Sequence, residues 1–406
     1  MQRCEVLRTL LPLRLRPRAE RVSDYRGKVS RITKRLEIKS LTEIRRFCYP
    51  LALAVAIRVL GAAFLFQTLT VDGAFHTPWM DANPTLIPAG WSWLWLFNAF
   101  DSLHFVLIAI NGYSHPAYAY FPAYPTLIFV AGRLTGNYWF GAFLIAQIFA
   151  MGSFVAFQLV AEQYMPSNQA LYATLLMVAF PFVSVFTTLG YSEPLFFFST
   201  LSAWYFYKKG KILSSSFLVG LASVTRIYGL VIILPILLDV VKSKKYGRIL
   251  YVTIPLTFVG SWLLFSFLST GDPFVSWTDE RYWQHGGVGD GVKIIQAVSQ
   301  SGLRGLMNCC SGLDPTIFWA IALFMIILVV TWGVDSLLWA YAASLSGLLL
   351  ITVTYEISLL RYYAFIFPIW LAIRAKNPVI VAISIGILVP ITIVVWLYAI
   401  AITFIG

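Results

Sequence analysis

Charge and cysteine are both scarce in this sequence. Only 12% of the 406 residues are Asp, Glu, Lys or Arg, and 59% are hydrophobic. A soluble domain has roughly 25% charged residues, so this chain cannot cover its surface in water and needs lipid as its solvent. The four cysteines include the adjacent Cys309 and Cys310, a spacing that suits neither a zinc site nor an unstrained disulfide. We read the cysteines as small apolar residues.

What the sequence has instead is a series of long apolar runs. A helix needs about 20 apolar residues to cross a bilayer, and these runs do not alternate as barrel strands do. We therefore predict an all-α fold, a polytopic transmembrane helical bundle with about nine to eleven spans. The clearest runs cover 50–69, 138–161, 168–187, 191–207, 214–241, 249–268, 316–334, 336–355, 361–374 and 378–402.

The basic residues are distributed unevenly and orient the spans. Residues 59–132 contain no Lys or Arg, whereas lysines crowd 208–211 and 242–248. Cytoplasmic loops carry the excess of Lys and Arg, so we place the two lysine-rich turns inside and the loops 70–120 and 269–314 outside. From residue 191 onward the crossings then alternate correctly. Before it they do not, unless one segment is re-entrant or a further crossing lies within 86–112.

The first 49 residues form a separate basic segment. They carry fourteen Lys and Arg against five acidic residues, which is nine of the twelve net positive charges. We predict a cytoplasmic N-terminal segment over 1–49 and a membrane domain over 50–406. Nucleic acid is not expected as a partner, because the positive-inside rule already accounts for the charge.

The run 214–241 lies between the two inside turns and contains Arg226. It must leave the cytoplasmic side and return, yet it is too short for two full crossings. We predict two half-helices that meet near Arg226. Charged residues within spans are rare and mark function by default, and a guanidinium can grip a phosphate with two parallel hydrogen bonds. The alternative is a buried ion pair with Glu193.

Three further candidates stand near the predicted outer face. Asp101 precedes His104 by three residues, so the two share one face of a short helix, and Asp101 could act as a general base or cap the helix. Glu193 begins an apolar run, where it is either favoured by the helix dipole or functional. Arg361 is a second arginine at the same level, or an interface anchor that snorkels.

Taken in order, these motifs resemble one family. They are Asp101-x-x-His104-Phe105, Gly112-Tyr113, Tyr120-Phe121-Pro122-x-x-Pro125, Tyr191-Ser192-Glu193, Thr225-Arg226-x-x-Gly229, Gly271-Asp272-Pro273 and Arg361-Tyr362. The chain resembles the multispan glycosyltransferases of the GT-C fold, and within them the PIG-V-like branch that adds the second mannose to the GPI-anchor glycan, with its prokaryotic relatives. The chain departs from the family pattern at Phe100, at His115-Pro116 and at Ile227-Tyr228.

The resemblance implies transfer of a sugar, mannose in the named branch, from a polyprenyl-phosphate donor to a hydroxyl of a lipid- or protein-linked acceptor. It implies Asp101 as the catalytic base, Arg226 and Arg361 as ligands of the donor phosphate, and His104, Glu193 and Tyr113 as acceptor-binding or orienting residues. No cofactor is expected; Asp101 and Glu193 could accept a divalent metal, but no motif demands one. The expected location is the endoplasmic reticulum or a prokaryotic cell membrane, with the active face outside the cytoplasm.

Two other functions fit parts of the sequence. A lipid or solute transporter, such as a flippase, would explain a broken helix at Arg226, but it predicts an internal repeat that the sequence lacks. A non-catalytic membrane subunit would explain the departures from the family motifs, but Asp101 is retained.

Overall fold

The computed structural model confirms an all-α architecture. It describes residues 44–401 apart from 72–73, 76, 78–85, 88, 284–299, 301–315 and 353–355. The chain divides into two compact units, Met1–Cys48 and Tyr49–Gly406. The first is described only from residue 44, so the predicted basic segment lies almost wholly outside the described residues. Cys48 is exposed and forms no disulfide among the described residues. The other three cysteines lie outside the described residues.

Sixteen α-helices follow one another along the described part of the chain. They are α1 Ile44–Thr68, α2 Asp101–Asn111, α3 Ala123–Thr135, α4 Tyr138–Ala161, α5 Ser167–Ala179, α6 Pro181–Thr188, α7 Glu193–Lys208, α8 Ile212–Ser223, α9 Ile233–Lys242, α10 Thr253–Thr270, α11 Val275–Trp283, α12 Thr316–Thr331, α13 Ser336–Thr352, α14 Glu356–Ala364, α15 Pro368–Leu371 and α16 Pro378–Ala401. The 3₁₀ helices are Ala89–Leu96, Ala117–Ala119, Ile227–Ile232 and Tyr246–Val252. A two-residue antiparallel pair joins Thr70–Val71 to Ala74–Phe75.

Four of these helices are long and apolar enough to cross a membrane. They are Ile44–Thr68, Tyr138–Ala161, Tyr246–Thr270 and Pro378–Ala401. A fifth crossing would run through α5 and α6, which bend by 67° at their junction. The chain is therefore a polytopic helical protein, as predicted. Its other apolar helices are shorter than a full span, so the figure of about nine to eleven spans stays a prediction.

Proline explains the bend between α5 and α6. Phe180, the residue before Pro181, has φ −67° and ψ 129°, because a residue before proline is pushed out of the helical region. The helix ends there, and Pro181 takes the first position of the next helix, where its missing N–H costs nothing. The predicted run 168–187 is thus two helices, which form either one broken span or a re-entrant loop; a re-entrant segment is one of the two predicted ways to close the topology before residue 191.

A second break falls at the predicted place in the run 214–241. Helix α8 ends at Ser223, Arg226 is extended with φ −150° and ψ 131°, and the 3₁₀ helix Ile227–Ile232 follows. Gly229 is required here, since a Cβ on it would lie 2.4 Å from the backbone carbon of Ala222. The returning chain therefore packs directly against the end of α8.

Helix α4 forms the centre of the bundle. It packs along α3 on one side and α7 on the other, and α7 in turn packs along α8. Buried Ala142, Ala146 and Ala150 line α4, and small residues of this kind let helices approach closely within a membrane.

Candidate active site

Asp101 is the first residue of α2 and carries a half-exposed carboxylate. Its side chain is 26% accessible, and its Oδ2 accepts a hydrogen bond from Arg361 Nη2 at 2.7 Å. The capping position is occupied by Phe100, and no side chain caps the helix, so the alternative that Asp101 is merely the N-cap is wrong. Phe100 has φ 50°, a strained conformation for a residue with a side chain, and such strain concentrates at functional sites.

Glu193 stands at the first position of α7, buried between two arginines. Its Oε1 accepts a hydrogen bond from Arg226 Nη2 at 2.7 Å and another from Arg361 Nε. Its Oε2 is buried and has no hydrogen-bond partner among the described residues. These contacts favour the orienting role that was predicted for Glu193 over direct contact with an acceptor.

Arg226 reaches this cluster from the break after α8. Besides its contact with Glu193, its Nε donates to Ser192 Oγ at 3.1 Å, and its guanidinium lies 5.0 Å from the centre of the Tyr362 ring. The predicted alternative, an ion pair with Glu193, is therefore present. It does not exclude phosphate binding, because the side chain remains 13% accessible.

Arg361 is the hub of the cluster, in the last turn of α14. It contacts both carboxylates, Asp101 and Glu193, and its side chain is only 2% accessible. Its guanidinium lies 4.8 Å from the ring centre of Phe186 and 4.5 Å from that of Tyr191. The alternative of a snorkelling interface anchor is wrong, since the charged end is enclosed by rings and carboxylates.

The charges of these four residues balance. Two guanidinium groups face two carboxylates, and each carboxylate lies in the first turn of a helix, where the macrodipole favours negative charge.

Asp101 lies outside the candidate spans, on the eleven-residue helix α2. Burial by itself raises the pKa of Asp101, but the charge and hydrogen bond of Arg361 oppose this, and the net pKa lies below its ordinary value. Asp101 is therefore ionised at neutral pH.

The other two predicted residues form a layer beside the cluster. The ring of His104 stacks on Tyr120 with centroids 5.3 Å apart. Tyr113 lies farther out: its hydroxyl donates to the Tyr120 carbonyl at 2.9 Å, and its ring centre is 5.0 Å from that of Trp262. Both residues thus contact Tyr120, and Tyr113 helps to hold the loop that carries it.

Helix α11, within the predicted outside loop, is tied to the same loop. Asp279 Oδ1 lies 2.8 Å from His115 Nδ1, and its Oδ2 accepts a hydrogen bond from the backbone N–H of Tyr118 at 3.0 Å. The helix carries Asp279 within the sequence Val275–Trp283. The role of Asp279 was not predicted, because only the folded chain brings it to residues 161 and 164 positions earlier.

The structure thus joins four of the six predicted site residues into one network and places His104 beside it. Sequence reasoning missed Ser192, Tyr191 and Tyr362, although each lies within two positions of a predicted residue in a quoted motif. Among the described residues, no three His, Cys, Asp or Glu side chains come together as metal ligands.

Fold and site together define an integral membrane protein with a charge-balanced cluster of two arginines and two carboxylates. The family model described as Mannosyltransferase (PIG-V) matches residues 44–283, which is 240 of the 406 residues. The chain therefore belongs to this mannosyltransferase family and is a membrane glycosyltransferase. The matched region contains Asp101, Glu193 and Arg226 and ends before Arg361. No curated protein and no solved structure matches the sequence significantly.

Proposed function

We propose that the chain transfers mannose from a polyprenyl-phosphate donor to a hydroxyl of a lipid- or protein-linked acceptor on the extracytoplasmic side of the membrane. One observation carries the proposal. Asp101 Oδ2 lies 2.7 Å from Arg361, and Arg361 shares Glu193 with Arg226. A carboxylate and two guanidinium groups therefore belong to one network, joined through Arg361 and Glu193, and this transfer needs a base and phosphate ligands of these kinds.

Asp101 is the base in this mechanism. It takes the proton of the acceptor hydroxyl while the hydroxyl oxygen forms its bond to the anomeric carbon of the sugar. The bond from that carbon to the phosphate oxygen breaks, and its electron pair stays on the phosphate. One displacement from the face opposite the phosphate inverts the anomeric carbon, and it needs only one carboxylate.

Arg361 couples the two halves of the reaction. When Asp101 gains the proton it loses its negative charge, and the leaving phosphate gains one at the same time. Arg361 can exchange one anionic partner for the other, so the charge of the cluster does not change. Preorganised charges of this kind, acting in a site with little water, supply much of enzymatic rate acceleration. Arg226 is the second phosphate ligand, and Glu193 holds both guanidinium groups in place.

The chemistry of the donor explains why such an enzyme would lie within the bilayer. A polyprenyl phosphate has its phosphate at the interface and its chain in the hydrocarbon, so the site must be open to lipid. The absence of Lys and Arg from residues 59–132 supports an extracytoplasmic position for Asp101. Membership of the mannosyltransferase family favours an enzyme over the transporter and over the non-catalytic subunit.

The test is transfer of labelled sugar by the purified protein in lipid. The protein is supplied with polyprenyl-phosphate mannose, polyprenyl-phosphate glucose or a mannose nucleotide, together with an extract of glycolipids as acceptor. We expect product from the lipid-phosphate mannose alone. Replacement of Asp101 by Asn should lower transfer at least about 100-fold, in the range that general-base catalysis contributes.

Asp239→Asn is the matched control for Asp101→Asn. Asp239 is also half-buried and accepts a hydrogen bond from a side chain, that of Tyr207, but it lies on α9, next to the lysine-rich turn. Transfer should be nearly unchanged in this variant. Equal activity of Asp101→Asn and the wild type would remove Asp101 as the base, and product from the nucleotide donor would overturn the proposed donor class.

A further inference from the structure

Arg58 is a buried charge that the proposed mechanism does not use. It lies in the middle of α1, one of the four long apolar helices, and is 7% exposed. Charged residues inside membrane helices are costly and rare. Every hydrogen bond that the structure gives to Arg58 ends on an uncharged oxygen, so a simple ion pair does not account for it.

One of these bonds joins Arg58 Nη1 to the carbonyl of Ala54 within α1, and the other three lead to the end of α6. Arg58 Nη2 donates to the carbonyl of Thr187 at 3.0 Å and to its Oγ1 at 3.2 Å. Arg58 Nε donates to Gln147 Oε1 at 2.6 Å, and Gln147 Nε2 donates to the carbonyl of Thr188 at 2.8 Å. The last carbonyls of a helix have no partner within it and carry the negative end of the dipole. Arg58 and Gln147 together supply that partner and a positive charge.

The capped helix end leads directly into the candidate active site. Thr188 is followed by Leu189, Gly190 and Tyr191, and then by Glu193. On one side this segment is held by Arg58 and Gln147. On the other, Arg361 lies against the rings of Phe186 and Tyr191.

We propose that Arg58 and Gln147 are positioning residues for the transfer reaction, which set the turn from Thr187 to Glu193 and thereby the arrangement of the two arginines on Glu193. The expected effect of Arg58 and Gln147 on the rate rests on the proposed function. Their expected effect on the conformation of the turn does not. A displacement of a catalytic group by about 1 Å can cost about 100-fold in rate. Loss of the hydrogen bonds from Arg58 and Gln147 can therefore slow catalysis although neither residue contacts substrate.

The kinetic test compares Arg58→Met, Arg58→Lys and Gln147→Met in the mannose transfer assay. We expect kcat to fall about 10- to 100-fold in Arg58→Met, with the donor KM changed by less than about threefold, because the geometry of the transition state is lost and not donor affinity. Arg58→Lys keeps a cation that can reach the Thr187 carbonyl and should recover most of kcat. A value of kcat within threefold of the wild type in Arg58→Met would overturn the proposal.

Gln158→Met is the matched control for Gln147→Met. Gln158 also lies on α4, is fully buried and bonds Glu162 and Thr174 at 3.0 and 2.8 Å, away from the α6 end. Both variants lose a side-chain amide that both donates and accepts a hydrogen bond within the protein, so both should lose stability. Only Gln147→Met should lose kcat beyond what its unfolding explains, and equal loss in the two would overturn the proposal.

Amide hydrogen exchange tests the positioning without any activity. In Arg58→Met and Gln147→Met, exchange should quicken in a peptide covering residues 186–194 and stay at the wild-type rate there in Gln158→Met. If the wild-type protein forms no product, the proposed function fails. The exchange measurement still shows whether Arg58 and Gln147 hold the turn after α6. If Arg58→Met does not fold, Arg58→Lys and Gln147→Met carry both tests, and unchanged exchange in Gln147→Met would overturn the proposal.

Discussion

At the scale of single residues, replacing Arg226 by lysine tests whether the cluster needs the two-pronged guanidinium group or only a positive charge. Its Nε and Nη2 donate to two different acceptors, Ser192 and Glu193, and a lysine ammonium cannot reproduce that geometry. We expect Arg226→Lys to lower kcat/KM for the donor about 10- to 100-fold, which corresponds to loss of one charge-assisted hydrogen bond. Initial rates at varied donor concentration measure it.

Arg374→Lys is the control for this substitution. Among the described residues, exposed Arg374 bonds one carbonyl, that of Gly333 at 3.3 Å, and a lysine there should leave the rate unchanged. If Arg226→Lys is as active as Arg374→Lys, Arg226 is a structural partner of Glu193 and no ligand of the phosphate.

The identities of the site residues could be predicted from the sequence, but their contacts could not. Arg226 is predicted from its charge within an apolar run, Asp101, Glu193 and Arg361 from their position near the predicted outer face, and all four from the order of the family motifs. The contact of Arg361 with Asp101 joins residues 260 positions apart, and no local pattern encodes such a pairing. Arg58 was missed, although the rule that singled out Arg226, a charge within an apolar run, applies to it equally.

At the scale of elements, Gly190 allows the segment before α2 to touch the turn before α7. Its N–H donates to the Phe97 carbonyl at 2.7 Å, and a Cβ on it would lie 2.8 Å from Asn98 Oδ1 and 3.4 Å from the Cβ atoms of Ala142 and Ser102. Gly190→Ala should therefore force apart the two segments that carry Asp101 and Glu193. We expect a loss of about 1–3 kcal/mol in stability and of about 10- to 100-fold in kcat, measured by thermal unfolding and by the transfer assay.

Gly260→Ala separates this effect from loss of glycine as such. Nothing lies within 4 Å of the position of its Cβ on α10, and alanine favours a helix over glycine. That variant should be as active as the wild type and no less stable. Wild-type kcat in Gly190→Ala would show that the spacing of the two segments does not limit the reaction.

A second contact between elements can be tested at Asp279. Its carboxylate satisfies the buried N–H of Tyr118 and reaches His115, whose side chain is 64% accessible. His115 is the exposed partner of this pair, and solvent screens its charge; the larger expected loss is the orphaned N–H of Tyr118, which costs about 1–3 kcal/mol. We expect Asp279→Ala to lower the unfolding temperature. The neighbouring exposed Thr278→Ala is the control, and equal unfolding temperatures in the two variants would show that Asp279 does not anchor α11.

The breaks in the helices were predictable to different degrees. The break near Arg226 followed from counting, because a run between two inside turns had too few residues for two crossings. The bend at Pro181 could have been read from the proline, yet the run 168–187 is apolar throughout and was taken as one segment. Apolar residues are buried in lipid and in protein alike, and they continue through a break in a helix. Hydrophobicity therefore locates helices better than it locates their ends.

At the scale of the whole molecule, the sequence indicates that the protein lies in lipid and that its fold is all-α. The number of membrane crossings depends on how the helices pack. The composition required lipid, and lipid requires helices whose backbone groups bond internally. Helices α8, α9 and α14 are too short to span a bilayer alone, and each packs against neighbouring helices. A rule based on span length cannot foresee such pieces.

The orientation of the molecule can be tested with single cysteines in a variant whose four native cysteines are replaced by serine. Phe274 begins the predicted outside loop and is 65% exposed, while Lys209 is exposed in a lysine-rich turn. Because cytoplasmic loops retain Lys and Arg, a membrane-impermeant maleimide should label Phe274→Cys in intact cells or sealed vesicles of known orientation, from the extracytoplasmic side. Lys209→Cys should react only after permeabilisation. Labelling of both from one side would place the lysine-rich turn and α11 on the same face, and the proposed extracytoplasmic position of Asp101 would then have to be abandoned.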